Sequence, residues 1–339
     1  MKALILAGGK GVRLLPLTKI LPKPMLPIAN RPFLHYIIDL LKHYGIKEIV
    51  LSLGYKSEEI KKYFEDGEKF GVKIYYVEES FPLGTAGAIK NAESFFEDTF
   101  LIFNGDIMTD INLEHLINFH KNKKPLVTIA LTKVDDPSSY GVIELDNEGK
   151  IKKFIEKPKK EEAPTNFINA GIYVFEKEIF NFIPSGREVS LEREIYPLLL
   201  KENIPMYGFE YKGYWLDIGN LQKYLKANKD ILLGKVKLPN INLERRNNVI
   251  IGENVEIHPK AKIEGPIIIG DGTIISKDAE INSISIIGKE VFIDKKAKIK
   301  ESVIWDKAKI GENSYVENSV VASKYTVANN EKIISEAVA

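Results

Sequence analysis

The sequence predicts an α/β domain, a Rossmann-like and mostly parallel sheet with helices on both faces, followed by a left-handed parallel β-helix of hexapeptide repeats. Three observations carry this prediction. Short aliphatic runs alternate with segments of helical period up to about residue 106, a glycine-rich stretch (LILAGGKG) ends the first of those runs, and from residue 251 an isoleucine recurs at every sixth position. At 339 residues the chain also exceeds the roughly 250 to 300 at which single cores stop growing, so two domains are expected.

The strand-like runs of the first part are ALILA, EIVLSLG, VKIYYVEE and FLIFNGD. After the first of them, Pro32 suits a first helical position, Phe33, Leu34, Ile37, Ile38 and Leu41 share one face, and Gly45 suits the stop. A second helix is expected from Ser57 to Gly67. From about Leu126 to Leu216 the pattern is mixed, with strands LVTIALTKV, GVIELD, AGIYVF and PMYGFEY and one helix near Leu191 to Lys201. This part reads as an insertion layered onto the sheet. NLQKYLKANKDILLG closes the domain as a helix, and KVKLPNINLERRN, without a long period, reads as a linker. The expected boundaries are 1–232 for the first domain, 233–248 for the linker, 249–325 for the repeats and 326–339 for a C-terminal tail.

The repeat is regular: Ile251, Ile257, Ile263, Ile269, Ile275, Ile281, Ile287, Ile293 and Ile299 are spaced six apart. Two residues before most of them stands a small or β-branched residue (Val255, Ala261, Thr273, Ala279, Ser285, Val291, Ala297), as a tight-cornered coil with an inward isoleucine requires. After Ile299 the register slips by one and resumes at Ile304, Ile310 and Val316, which predicts a five-residue step, a loop or a corner bulge.

Composition narrows the chemistry. Lys and Arg number 48 against 47 Asp and Glu, a formal charge of +1, with no long run of one sign, so neither nucleic acid nor an anionic membrane is expected as a partner. The absence of cysteine excludes disulfides and thiolate chemistry. ALILAGG is too short for a signal-peptide core or a membrane span, which predicts a cytoplasmic protein.

Any anion site must therefore be local, and the glycine-rich stretch is where one is expected. Backbone N–H donors crowd around a phosphate only where no Cβ intervenes. Gly8, Gly9 and Gly11 are followed by Arg13, Pro16, Lys23, Pro24 and Pro27, a run that fits neither the phosphate loop of ATPases nor the dinucleotide fingerprint, since prolines preclude a helix there. A long stiff flap over a ligand is expected. Asp106 ends the strand FLIFNGD, where open α/β sheets bind ligands; by itself an Asp there is more simply a turn residue or helix cap, and a lone Arg13 or Lys23 a solvated charge.

AGGKGVRLLPLT with LPKPMLP resembles the signature of the sugar-1-phosphate nucleotidylyltransferases, and PLGTAGAI, NGDI, YGVIELD, FIEKP, NAGIYVF and GYWLDIG follow in that family's order over residues 1–235. The resemblance implies the nucleotide-diphospho-sugar transferase fold and attack of a sugar-1-phosphate oxygen on the α-phosphorus of a nucleoside triphosphate, with pyrophosphate leaving. By the same resemblance Arg13, Lys23, Asp106, Lys157 and Asp217 are catalytic. Leu6, Ala7, Gly8, Gly9, Gly11, Arg13, Lys23, Glu79, Gly84, Thr85 and Asp106 would hold the nucleotide, and Gly141, Glu156, Lys157, Asn169 and Asp217 the sugar phosphate. Asp106 and Asp217 would bind Mg2+, which takes hard oxygen ligands. One departure is Val12, where the family usually has threonine or serine; a phosphate-facing hydroxyl is missing, and Val12 is left out of the binding set.

The wording is most similar to mannose-1-phosphate guanylyltransferases. Relatives that read uracil or thymine carry glutamine five residues before the glycine matching Gly84, and here that residue is Glu79. A carboxylate only accepts, which suits guanine's adjacent N1–H and N2–H2 donors, so GTP and mannose-1-phosphate are expected. Glucose-1-phosphate uridylyl or thymidylyl transfer stays open, as does a regulatory subunit without turnover. The repeats are expected to serve homo-oligomer assembly; acyl transfer there would rest on His258, the one histidine of the region, in an ordinary corner.

Overall fold

The computed structural model describes residues 1–240 and 248–339 and divides into two compact units, Met1–Lys10 with Ile37–Trp215, and Gly11–Tyr36 with Leu216–Ala339. The first is a nine-stranded sheet flanked by helices. Its strands are β1 (Ala3–Ala7), β2 (Glu48–Leu53), β3 (Lys73–Glu78), β4 (Phe100–Asn104), β5 (Val127–Lys133), β6 (Gly141–Leu145), β7 (Ile151–Glu156), β8 (Phe167–Phe175) and β9 (Met206–Glu210). The main path runs β7-β6-β8-β4-β1-β2-β3, with β5 also paired to β8 and β9 to β5.

The first four strands are mutually parallel, with Ile5 level with Leu51 on one side and Phe103 on the other. Strands β1, β2 and β4 are almost wholly buried, which explains why they read as continuous apolar runs instead of alternating ones. The helices are α1 (Phe33–His43), α2 (Ser57–Phe64), α3 (Gly84–Asn91), α4 (Leu113–Lys123), α5 (Tyr196–Lys201) and α6 (Leu221–Leu232); α1, α2, α5 and α6 fall close to expected positions, and α3 and α4 were not expected. Gly45 follows α1 at φ 77°, the left-handed stop that glycine supplies at low strain. The helix expected from Leu191 begins as a π turn, Leu191–Ile195, and becomes α-helical only at Tyr196.

The mixed segment corrects one expectation. It is not layered on the sheet: β8 pairs antiparallel with β4, Tyr173 opposite Ile102, and carries β5, β6, β7 and β9 outward in the same sheet. Strands β5 and β8 are as deeply buried as the parallel ones because they share that core, in which Ile129, Ile143, Tyr173 and Phe175 lie buried with Leu4, Val50 and Phe100.

In the second unit, three parallel sheets wind a β-helix from Val249 onward. Isoleucines stack directly: Ile257 on Ile275 on Ile293, and Ile263 on Ile281 on Ile299. The slip after Ile299 is a five-residue corner, Ile287 pairing with Ile304, and it recurs where Ile304 pairs with Val321. A single left-handed residue (Glu301 at φ 48°, Asn318 at φ 47°) turns each such corner, and the hydroxyl of Ser302 or Ser319 donates back to the carbonyl of Lys300 or Glu317 at 2.7 Å. Residues 326–339, expected as a tail, continue the coil through Thr326–Val327, Lys332–Ile334 and Ala337–Val338. Of the expected linker 233–248, residues 241–247 lie outside the described residues.

Candidate active site

The candidate residues divide between the units. In the first, the carboxyl ends of the parallel strands gather the glycine loop and Glu79. Gly105 N donates to Leu6 O at 2.8 Å, and a Cβ at Gly105 would meet that oxygen at 2.7 Å, so glycine holds Asp106, half-buried, close to the end of β1. Gly8 needs its bare Cα for another reason: a Cβ would stand 2.7 Å from Glu79 Oε1. The Glu79 carboxylate is aimed by two weak donors, Ser52 Oγ at 3.2 Å and Leu83 N at 3.3 Å. Leu6, Ala7, Gly8 and Gly9 form the turn beside it, with Gly8 O accepting from Tyr55 N.

Gly84 opens α3 at φ 70°, and a Cβ there would strike Val189 O at 2.5 Å. The hydroxyl of Thr85 donates to Glu192 Oε2 at 2.8 Å and accepts from Leu191 N at 2.9 Å, so it ties α3 to the π turn. Glu192, which also accepts from Ser190 Oγ, is a carboxylate that sequence reading missed.

The sugar-side candidates meet on adjacent strands. Glu156 on β7 is paired with Gly141 on β6, and a Cβ at Gly141 would lie 3.1 Å from Glu156 Oε2 and 2.4 Å from Phe154 Cζ. Lys157 follows at φ 49°, held there by its N–H donating to Tyr140 O at 3.0 Å, while Nζ sits 3.4 Å from Glu156 Oε1. A non-glycine residue in that conformation is strained, and such strain collects at functional positions. Asn169 spans a bulge in β8: Oδ1 accepts from Gly171 N at 2.9 Å and Nδ2 donates to Tyr173 Oη at 3.0 Å. Burial pushes the Tyr173 phenol far up, so it stays protonated.

In the second unit the proline-rich run is a chain of short 3-10 turns, Val12–Leu14, Leu17–Lys19 and Lys23–Met25. Gly11 stands at φ 61°, Thr18 Oγ1 donates to its carbonyl at 3.1 Å, and a Cβ there would crowd the Lys23 side chain at 3.2 Å. Val12 is 63% exposed. Asp217 stands beside two cations: Lys223 Nζ donates to Oδ1, and a Cβ at Gly219 would fall 2.8 Å from Oδ2 and 3.1 Å from Arg13 Nη2. Lys223 was not legible as a site residue because it lies outside every motif, and Gly219, which closes the GYWLDIG motif, was assigned no role from the sequence. Among the described residues no group of three or more His, Cys, Asp or Glu is arranged to hold a metal ion. Nor is any described helix long and apolar enough to cross a membrane.

The C-terminal part of the chain, residues 246–339, matches the LbH domain of the EIF2B subunit epsilon, so the coil is a left-handed β-helix. A UTP–glucose-1-phosphate uridylyltransferase of Synechocystis is 36% identical over 96% of this chain and 88% of its own. A mannose-1-phosphate guanylyltransferase of Mycobacterium tuberculosis is 36% identical over 78% and 79%. The crystal structure of HddC from Yersinia pseudotuberculosis complexed with GMP-PN superposes with a TM-score of 0.59 at 32% identity, covering 68% of this chain and 99% of that one. Residues 2–233, which hold every candidate site residue, match the nucleotidyl transferase family, and the chain belongs to that family.

Proposed function

We propose that this sugar-1-phosphate nucleotidyltransferase moves a guanylyl group from GTP to mannose-1-phosphate. The observation that carries the base assignment is Glu79, whose carboxylate lies against Gly8 in the glycine-rich turn and, among the described residues, accepts from two weak donors. Its free lone pairs suit guanine's paired N–H donors and oppose a uracil carbonyl. A mismatch of that kind costs about 1 to 3 kcal/mol, roughly tenfold or more in preference. The likeness to a structure holding GMP-PN supports the same base.

The chemistry brings two anions together. An oxygen of the sugar phosphate forms a bond to the α-phosphorus while the bond from that phosphorus to the oxygen bridging to the β-phosphate breaks and pyrophosphate leaves; catalysis is mostly positioning and charge neutralisation. Arg13 neutralises by bidentate donation and Lys23 as a point charge, and Lys157 holds the sugar phosphate. Asp106 and Asp217 offer the one or two carboxylates that Mg2+ accepts alongside phosphate oxygens and water, and a bound ion would draw the two reacting anions together. That assignment rests on donor chemistry and on motif order. Lys223 fixes the Asp217 carboxylate in place. The β-helix is proposed as the platform for self-assembly.

The test is pyrophosphate release with Mg2+ and GTP, ATP, UTP, dTTP or CTP, each against mannose-1-phosphate and glucose-1-phosphate. GTP with mannose-1-phosphate is expected to be fastest, and Glu79→Gln to lower the GTP:UTP ratio of kcat/KM about tenfold. An unchanged ratio sinks the role of Glu79. The uridylyltransferase relative makes UTP with glucose-1-phosphate the alternative outcome, and the EIF2B-type match of the repeats makes a regulatory subunit without turnover the other.

A further inference from the structure

The hairpin immediately after Lys23, Pro27–Ile28 paired with Arg31–Pro32, turns through two successive left-handed residues, Ala29 at φ 46° and Asn30 at φ 62°. Two-residue hairpins favour that turn geometry, yet Ala29 is not a residue that adopts it readily. Something outside the hairpin must hold it. Four side-chain hydrogen bonds do so, one at each of four consecutive residues: Tyr224 Oη donates to Pro27 O, Tyr36 Oη to Ile28 O at 2.7 Å, Ala29 N to Asn228 Oδ1 at 2.9 Å, and Asn30 Nδ2 to Ile287 O at 2.8 Å.

Tyr224 and Asn228 are one turn apart on α6, on the same face, and both are buried. Tyr224 is in turn fixed from the β-helix: Trp305, 2% exposed, donates its Nε1–H to Tyr224 Oη at 3.0 Å, and its own backbone N–H is locked to Val321 O in the coil. The phenol thus accepts from the repeat domain and donates to the hairpin. The first turn of the same helix carries Lys223, which holds Asp217. Burial pushes the Tyr224 phenol well above its ordinary value, so the donor persists across the working pH range.

We propose that Tyr224 and Trp305 are positioning residues for the triphosphate-facing loop, through which the β-helix sets the placement of Lys23. The inference rests on the reading of Lys23 as a phosphate-binding residue.

The experiment compares full-length wild type with Tyr224→Phe, Trp305→Phe and, as a control in the apolar interior of the coil, Ile310→Val, by hydrogen–deuterium exchange and steady-state kinetics. Tyr224→Phe removes one hydroxyl and keeps the ring. It is expected to speed amide exchange over residues 24–33 and to raise KM for the nucleotide, each about tenfold, which is the scale of one net hydrogen bond, with KM for the sugar phosphate within twofold of wild type. Trp305→Phe shifts both in the same direction by less. Ile310→Val lowers the melting temperature and moves neither. Unchanged exchange over 24–33 in Tyr224→Phe overturns the proposal, and so does an equal change in Ile310→Val, because that is general loosening. If wild type turns over no nucleotide, the functional reading fails by itself, while exchange over 24–33 still decides whether Tyr224 anchors the loop.

Discussion

Gly219 closes the GYWLDIG motif without having drawn a role of its own, and its missing Cβ is what lets the Asp217 carboxylate and the Arg13 guanidinium stand together. Gly219→Ala would push two flexible side-chain ends apart by a fraction of an ångström and leave the backbone at ease. We expect kcat/KM to fall about 10- to 100-fold, the usual cost of a small misplacement, with the melting temperature within about two degrees of wild type. A lost fold with unchanged specific activity would refute this. The residues that announced themselves in the sequence, Gly8, Gly84 and Gly141, did so because a motif surrounded them. Lys223 and Glu192 lie outside every motif and Gly219 lies inside one without a role assigned to it, because the meaning of all three lies in which side chains they face.

Among single elements, α4 is tied down by one buried polar residue. His120, 1% exposed, meets Thr128 Oγ1 on β5 at 2.8 Å and Glu176 Oε1 beyond β8 at 2.9 Å. Burial lowers its pKa below the ordinary 6.5, an effect larger than the opposing pull of Glu176. The folded protein therefore holds it neutral while the unfolded chain binds the proton first. Its contribution to stability is complete above pH 6.5 and drains away as pH falls through that value toward the folded pKa. Melting temperature should drop between pH 7.5 and 5.5 in wild type, and less steeply in His120→Gln; parallel slopes would remove His120 as the cause. Elements with an unbroken period, such as α1 and the coils as far as Ile299, could be read from spacing. The last coils could not, because each five-residue corner moves the count by one, and Val327, Ile333 and Val338 no longer fall on the six-residue grid.

Among the described residues, one apolar core lies against the sheet and another fills the inside of the coil. Multi-domain chains need not unfold in one step. Ile293 is fully buried in the second core, and Ile293→Ala should remove about 2 to 5 kcal/mol from that core alone. Denaturation followed by circular dichroism is expected to show two transitions, only one of which moves in the variant; a single transition that shifts as a block would argue for full coupling. The chain has only two tryptophans, and they are distributed one to each unit. Trp215 donates its indole N–H to Ala170 O at 2.9 Å, next to Asn169 and edge-on to Tyr140, and Trp305 lies at the hairpin anchor. The protein is thereby supplied with its own pair of optical reporters: in Trp305→Phe the remaining emission comes from beside the sugar-side residues, and in Trp215→Phe it comes from the buried joint between helix and coil.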